Sequence, residues 1–79
     1  MKKYNEEDQL ILIIAANLKK IRSLKGLTQE ELGFRCGISK NYISDFERGR
    51  RNITIKVFQR FIEGLEIEPQ DLLTPYFSA

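Results

Sequence analysis

Residues 28–47 place the tightest limit on what this chain can fold into. Two short amphipathic segments, each opened by a hydroxyl residue able to cap a helix, meet at one glycine, Gly37. Thr28 precedes Gln29-Glu30-Glu31-Leu32, so its side chain can accept from the amide three residues on while Glu31 reaches back, forming a capping box. Leu27 is placed to staple over Leu32. The first segment runs to Cys36 and stops at Gly37, because glycine takes the left-handed conformation at little steric cost. Ser39 then caps a second helix over about residues 40–47, with Ile43 and Phe46 on its inner face. Ile38 is the apolar residue that plugs the angle between the two.

The remaining sequence has the same helical period. From about residue 6 to 25, Leu10, Ile11, Ile14, Leu18, Ile21 and Leu24 recur at threes and fours. Asn5 followed by Glu6, Glu7 and Asp8 suits a helix start, and Lys25-Gly26 suits a stop. The run Leu10-Ile11-Leu12-Ile13-Ile14 is apolar almost all round, which suggests a second contact, with a partner subunit, besides the core. Residues 48–52, Arg-Gly-Arg-Arg-Asn, read as a basic loop. Thr54 caps a fourth helix to about Gly64, burying Ile55, Val57, Phe58, Phe61 and Ile62. Glu68-Pro69 opens a short fifth helix, with proline at its first position. The expected fold is all-α, five helices in one domain over residues 1–79.

Composition excludes several classes of function. The chain has no histidine, one cysteine and no glycine-rich phosphate loop. The adjacent acids Glu30 and Glu31 point to different helix faces and so do not form a catalytic pair. Neither an enzyme nor a metal or cofactor site is expected. A lone Cys36 rules out an intrachain disulfide and fits a cytosolic protein, its thiol packed and inert. The seven-residue apolar run 10–16 is too short to span a bilayer, and the acids before it do not suit a signal peptide. The net charge is only +2, but residues 19–60 hold eleven basic and four acidic side chains, and the flanks two basic and seven acidic. A basic middle between acidic ends suggests a face for a polyanion. Charge alone would equally describe a solvated surface.

The capped helix, glycine turn and second capped helix have the form of a helix-turn-helix, in which the second helix enters the major groove of DNA. Further features are linked to it: Leu27-Thr28-Gln29-Glu30-Glu31-Leu32, Gly37-Ile38-Ser39, Tyr42-Ile43-Ser44 and Glu47-Arg48-Gly49. Together these resemble the Cro/CI (XRE-like) repressor family of five-helix DNA-binding domains, over about residues 17–73. Within that family, Tyr42-Ile43-Ser44 and the run Phe46-Glu47-Arg48-Gly49-Arg50-Arg51-Asn52-Ile53-Thr54 are similar to controller proteins of restriction–modification systems. That resemblance implies a small homodimeric regulator, both activator and repressor of its own operon, located in the bacterial cytoplasm on the nucleoid.

Lys40, Asn41, Ser44 and Asp45 lie along the outer N-terminal part of the recognition helix. Lys40 can donate to guanine and Asn41 can pair with adenine or hold phosphate. Lysine stands where relatives often have arginine, which loosens the preference for guanine. Asp45 has a role only as an acceptor from cytosine; otherwise it is a surface acid. The resemblance makes Gln29 a phosphate anchor at the N-terminus of its helix. Arg35, Tyr42, Arg48, Arg51 and Asn52 complete the expected DNA-binding set. Tyr42 is equally suited to core packing, and Arg51 can also reach a base edge. The resemblance further implies a buried ion pair between Arg22 and Glu47. Leu65, Ile67, Leu72, Leu73, Tyr76 and Phe77 give the C-terminal end more apolar surface than a small monomer needs, so dimerisation through it is expected, in agreement with the family architecture; half of these can instead close the core. Glu30 and Glu31 either form only the capping pair or also meet RNA polymerase beside the DNA. Rival readings are a phage-type repressor, a DNA-binding antitoxin, and an adapter of the same fold that binds protein rather than DNA.

Overall fold

Helix α1 takes its length from an unbroken helical period and its end from Gly26. In the computed structural model, which describes residues 5–75, α1 spans Asn5–Leu24. Gly26 is left-handed at φ 73°, and the Leu27 amide returns to the Arg22 carbonyl at 3.1 Å, closing the last turn. Four shorter helices follow: α2 (Gln29–Cys36), α3 (Lys40–Glu47), α4 (Ile55–Leu65) and α5 (Pro69–Leu73). Among the described residues every regular element is helical, as expected from the sequence.

The core lies where the five helices converge. Leu18, Leu32, Ile43, Phe46, Phe61, Leu65 and Leu72 are sealed from solvent, with Ile14 and Ile21 nearly so. Phe46 and Phe61 face each other at 5.9 Å between ring centroids, joining α3 to α4. One polar side chain enters this core. Asn17, in the middle of α1, donates through Nδ2 to the carbonyls of Leu72 at 2.9 Å and Thr74 at 2.8 Å. It thereby satisfies carbonyls that the end of α5 cannot satisfy itself. Its Oδ1 is buried and meets no donor among the described residues.

Several expectations from spacing need correction. Leu24 and Leu10 fall on the apolar stripe of α1 yet are 76% and 47% exposed. A twenty-residue helix is about 30 Å long and outruns the core that the shorter helices build against it. Ile55 is 80% exposed because it is the first residue of α4, ahead of the turn that meets the core. Leu65 and Leu72 lie inside the protein's own core and are not available to a partner subunit in this conformation. Ile67 is half-buried against the core and Leu73 is exposed, while Tyr76 and Phe77 lie outside the described residues.

Helix α4 also ends later than its glycine suggests. The stop is Glu66, left-handed at φ 58°, with the Ile67 amide returning to the Ile62 carbonyl. Gly64 serves packing instead: a Cβ there would run into Sγ of Cys36 on α2. A left-handed non-glycine residue carries steric strain. Glu66→Gly is expected to stabilise the protein by about 0.5–1 kcal/mol, after the extra chain entropy of glycine is set against relieved strain. Thermal unfolding followed by circular dichroism checks this; a lower melting temperature would contradict it.

Candidate nucleic-acid interface

The turn between α2 and α3 is held from both sides. Thr28 and Glu31 form the expected capping box at the start of α2, at 3.0 and 2.9 Å. Gly37 caps its end at φ 69°, and the Ser39 hydroxyl accepts from the Tyr42 amide at 3.1 Å to start α3. Gly33, inside α2, is what lets the turn fold back so tightly. A Cβ at that position would strike the Ile38 carbonyl oxygen, and the Ile38 amide donates to the Gly33 carbonyl at 3.0 Å. Ile38 is half-buried against the core, as its place at the bend requires.

With Ile43 and Phe46 facing inward, α3 turns Lys40 and Asn41 fully outward and leaves Ser44 and Asp45 half-exposed. Among the described residues, the side chains of Lys40, Asn41, Ser44 and Arg48 meet no hydrogen-bond or ion-pair partner, and Lys40, Asn41 and Arg48 are exposed. Lys40 also borders an open groove along α2 with Glu30, Glu31 and Phe34, and Phe34 is 91% exposed.

The opposite face of α3 is fixed by charge. Arg22 of α1 grips Glu47 with two parallel bonds, Nε to Oε2 at 2.7 Å and Nη2 to Oε1 at 3.0 Å. Its third arm, Nη1, donates to the Leu27 carbonyl at 2.7 Å. Only 12% of the Arg22 side chain and 3% of the Glu47 side chain are exposed. Gln29 joins the same cluster by donating through Nε2 to Oε1 of Glu47 at 3.0 Å. Gln29 is thus positioned by Glu47. The sequence pattern does not reveal that link.

Tyr42 and Arg35 are less free than the sequence suggests. The Tyr42 hydroxyl donates to the Asn52 carbonyl at 2.9 Å, and its ring stacks on Phe46 at 6.4 Å. Arg51 places its guanidinium 4.4 Å from the centroid of that ring. Burial raises the Tyr42 pKa above the ordinary tyrosine value, and the nearby Arg51 charge opposes the shift. Asn52 turns Oδ1 to the Ile53 amide at 2.8 Å. Arg35 reaches the Gly64 carbonyl at 3.5 Å, while Arg60 of α4 reaches the Gly37 carbonyl at 3.4 Å, so α2 and α4 each cover the other's end. Cys36 is buried between them; that burial pushes its thiol up to about 11, against a smaller opposite pull from Arg35. At neutral pH it is an uncharged packing group.

A capped pair of eight-residue helices around a left-handed glycine, the second exposing polar groups from a basic segment, is the arrangement that reads a DNA groove. The sequence profile of the Helix-turn-helix family matches residues 18–72. The chain belongs to this helix-turn-helix family. An HTH-type transcriptional regulator of Sinorhizobium fredii, y4dJ, is 40% identical over 63 residues, covering 80% of this chain and 82% of its own. Control protein C.BamHI of Bacillus amyloliquefaciens is 36% identical over 63 residues, 78% of each chain. The crystal structure of the restriction-modification controller protein C.AhdI from Aeromonas hydrophila superposes with a TM-score of 0.75 at 34% identity, covering 78% of this chain and 94% of that one. This helix-turn-helix protein is therefore a DNA-binding regulator close to the controller proteins, a group of transcription regulators rather than enzymes.

Within the family fold, the Arg22–Glu47 pair ties the recognition helix to α1. Removing the charge on one side leaves Arg22 buried without a counter-ion, at a cost of about 3–5 kcal/mol. Glu47→Gln is expected to lower stability by that order in denaturant titration. Melting within error of the wild type would mean that the pair is not needed to hold α3.

Proposed function

We propose that the protein is a controller-type regulator that binds duplex DNA in a sequence-specific manner as a homodimer, upstream of its own gene, and both activates and represses that operon. The observation that carries this reading is the division of α3 into two faces. One is locked inward by Arg22 and Glu47, and the other exposes Lys40 and Asn41 with Ser44 half-exposed beside them. Lys40 and Asn41 act at base edges. Gln29, Arg48 and Asn52 hold phosphate, with Arg51 at a base edge or phosphate. Two relatives carry the words control or controller protein in their names, which supports the same role here. The reading places the protein in the cytoplasm on the nucleoid.

One eight-residue helix reads few base pairs, so a second copy is needed for a full site, with half-sites about one helical turn apart. The surface best suited to that second copy keeps Leu73 from the set expected at α5 and the tail and joins it to Leu10 of the apolar run in α1. Leu10, Ile55 and Leu73, all exposed, rim an apolar cleft floored by Ile11, Ile14 and Phe58. Asn52, Ile53 and Thr54 border it, so two copies joined there bring both post-recognition loops to the same axis. For polymerase contact, Glu31 is already engaged in capping; Glu30 and the exposed Phe34 remain beside Lys40.

The test is a binding titration on the upstream duplex and on scrambled DNA at two salt concentrations. A preference of about a thousandfold, with two protomers per site, is expected. Equal, weak, salt-sensitive binding to both duplexes would favour the protein-binding adapter instead. Ile55→Asp is expected to shift the mass in solution toward monomer and weaken operator binding, with stability of the monomer changed by less than about 0.5 kcal/mol. A variant that stays dimeric would move the interface elsewhere.

A further inference from the structure

We infer that Tyr42 acts on DNA recognition through Arg51: its ring is the platform that sets where the Arg51 guanidinium sits, and Tyr42 is a positioning residue rather than a phosphate ligand. This rests on the regulator reading above and names how its basic loop is aimed.

Arg51 lies in the exposed loop after α3, just beyond Gly49 at φ 74°. A long cationic side chain in such a place samples many rotamers. Here two contacts, one residue apart, restrain it. The guanidinium carbon is 4.4 Å from the centroid of the Tyr42 ring, inside the range in which a cation is attracted to an aromatic face. The Tyr42 hydroxyl holds the next residue by donating to the Asn52 carbonyl at 2.9 Å. One aromatic side chain therefore holds both the side chain of residue 51 and the backbone of residue 52.

The platform is itself fixed. The Tyr42 ring lies nearly parallel to Phe46, at 16° and 6.4 Å, and Phe46 is sealed from solvent against Phe61. A column of aromatic rings thus runs from the core of α4 through α3 to the loop cation. Tyr42 directly follows Lys40 and Asn41, so the column ties Arg51 to the start of the recognition helix.

Stacking suits this purpose because of guanidinium geometry. A guanidinium that stacks on a ring by its flat face keeps its N–H donors in its own plane, where they can form a fork toward a base edge or phosphate. The hydroxyl proton of Tyr42 is already given to Asn52, so a phosphate would have to displace that bond to use it.

The experiment is a double-mutant cycle on the discrimination ratio, operator over scrambled duplex, with Tyr42→Leu, Arg51→Ala and the pair together. Each single change is expected to lower the ratio by about threefold to tenfold, and the pair no further than the worse single change. Tyr42→Phe keeps the ring and is expected to retain most of the ratio. The salt slope of Tyr42→Leu should match the wild type. Losses that multiply in the double variant, or a salt slope reduced by about 0.9 as for a lost phosphate contact, would overturn the inference. Should Tyr42→Leu fail to fold, proton spectra of wild type and Tyr42→Phe decide. Arg51 side-chain resonances shifted upfield by the ring in both support it, and unshifted ones overturn it. A wild type with no discrimination removes the regulator reading itself, and is seen before any substitution is made.

Discussion

The two parallel hydrogen bonds between Arg22 and Glu47 are the constraint from which the recognition surface follows. An eight-residue helix has too few turns to be stable alone, so α3 exists because its neighbours hold it. Ile43 and Phe46 supply the apolar hold, but apolar packing leaves some freedom to rotate and slide. A planar guanidinium gripping a carboxylate does not. Because the same arginine also reaches the Leu27 carbonyl and the same carboxylate receives Gln29, the ends of α1, α2 and α3 are gathered at one charged point. Lys40 and Asn41 can be placed accurately because that point is nearly dry.

A second set of contacts keeps this arrangement rigid from behind. Asn17 fastens the end of α5 to the middle of α1, and Arg35 on α2 and Arg60 on α4 each cover the C-terminal end of the other's helix. None involves a residue of α3, yet together they fix the shell against which α3 rests. The basic loop after α3 is held at several points: Tyr42 restrains Arg51 and Asn52, Gly49 lies close against Leu12 of α1, and Ile53 packs against the core.

Much of this was legible in the sequence, for a definite reason. Helix starts and stops depend on local chemistry, so Thr28, Ser39, Thr54 and Pro69 mark their helices and Gly37 marks the bend. The Arg22–Glu47 pair was legible only through family resemblance, since 25 residues separate its partners. What local reading missed depends on distance in space. Gly33 and Gly64 look like weak points in their helices, and only the approach of Ile38 and Cys36 explains them. Asn17 carries no marker at all, being one of many polar residues on α1. Leu65 and Leu72 looked like surplus apolar surface because the core they fill is assembled from four other helices.

The contact between Cys36 and Gly64 has a consequence for how this sequence can vary. With no side chain at 64, the sulfur of residue 36 fills the gap between two helix backbones, and the two positions share one fixed volume. Neither can grow unless the other shrinks, and position 64 is already at its minimum. Any drift must therefore begin at 36, toward alanine or glycine, before a methyl group can appear on α4. The order of substitutions is set by geometry, and a chain that takes them in reverse passes through a state in which α2, with the turn it carries, is pushed off its seat.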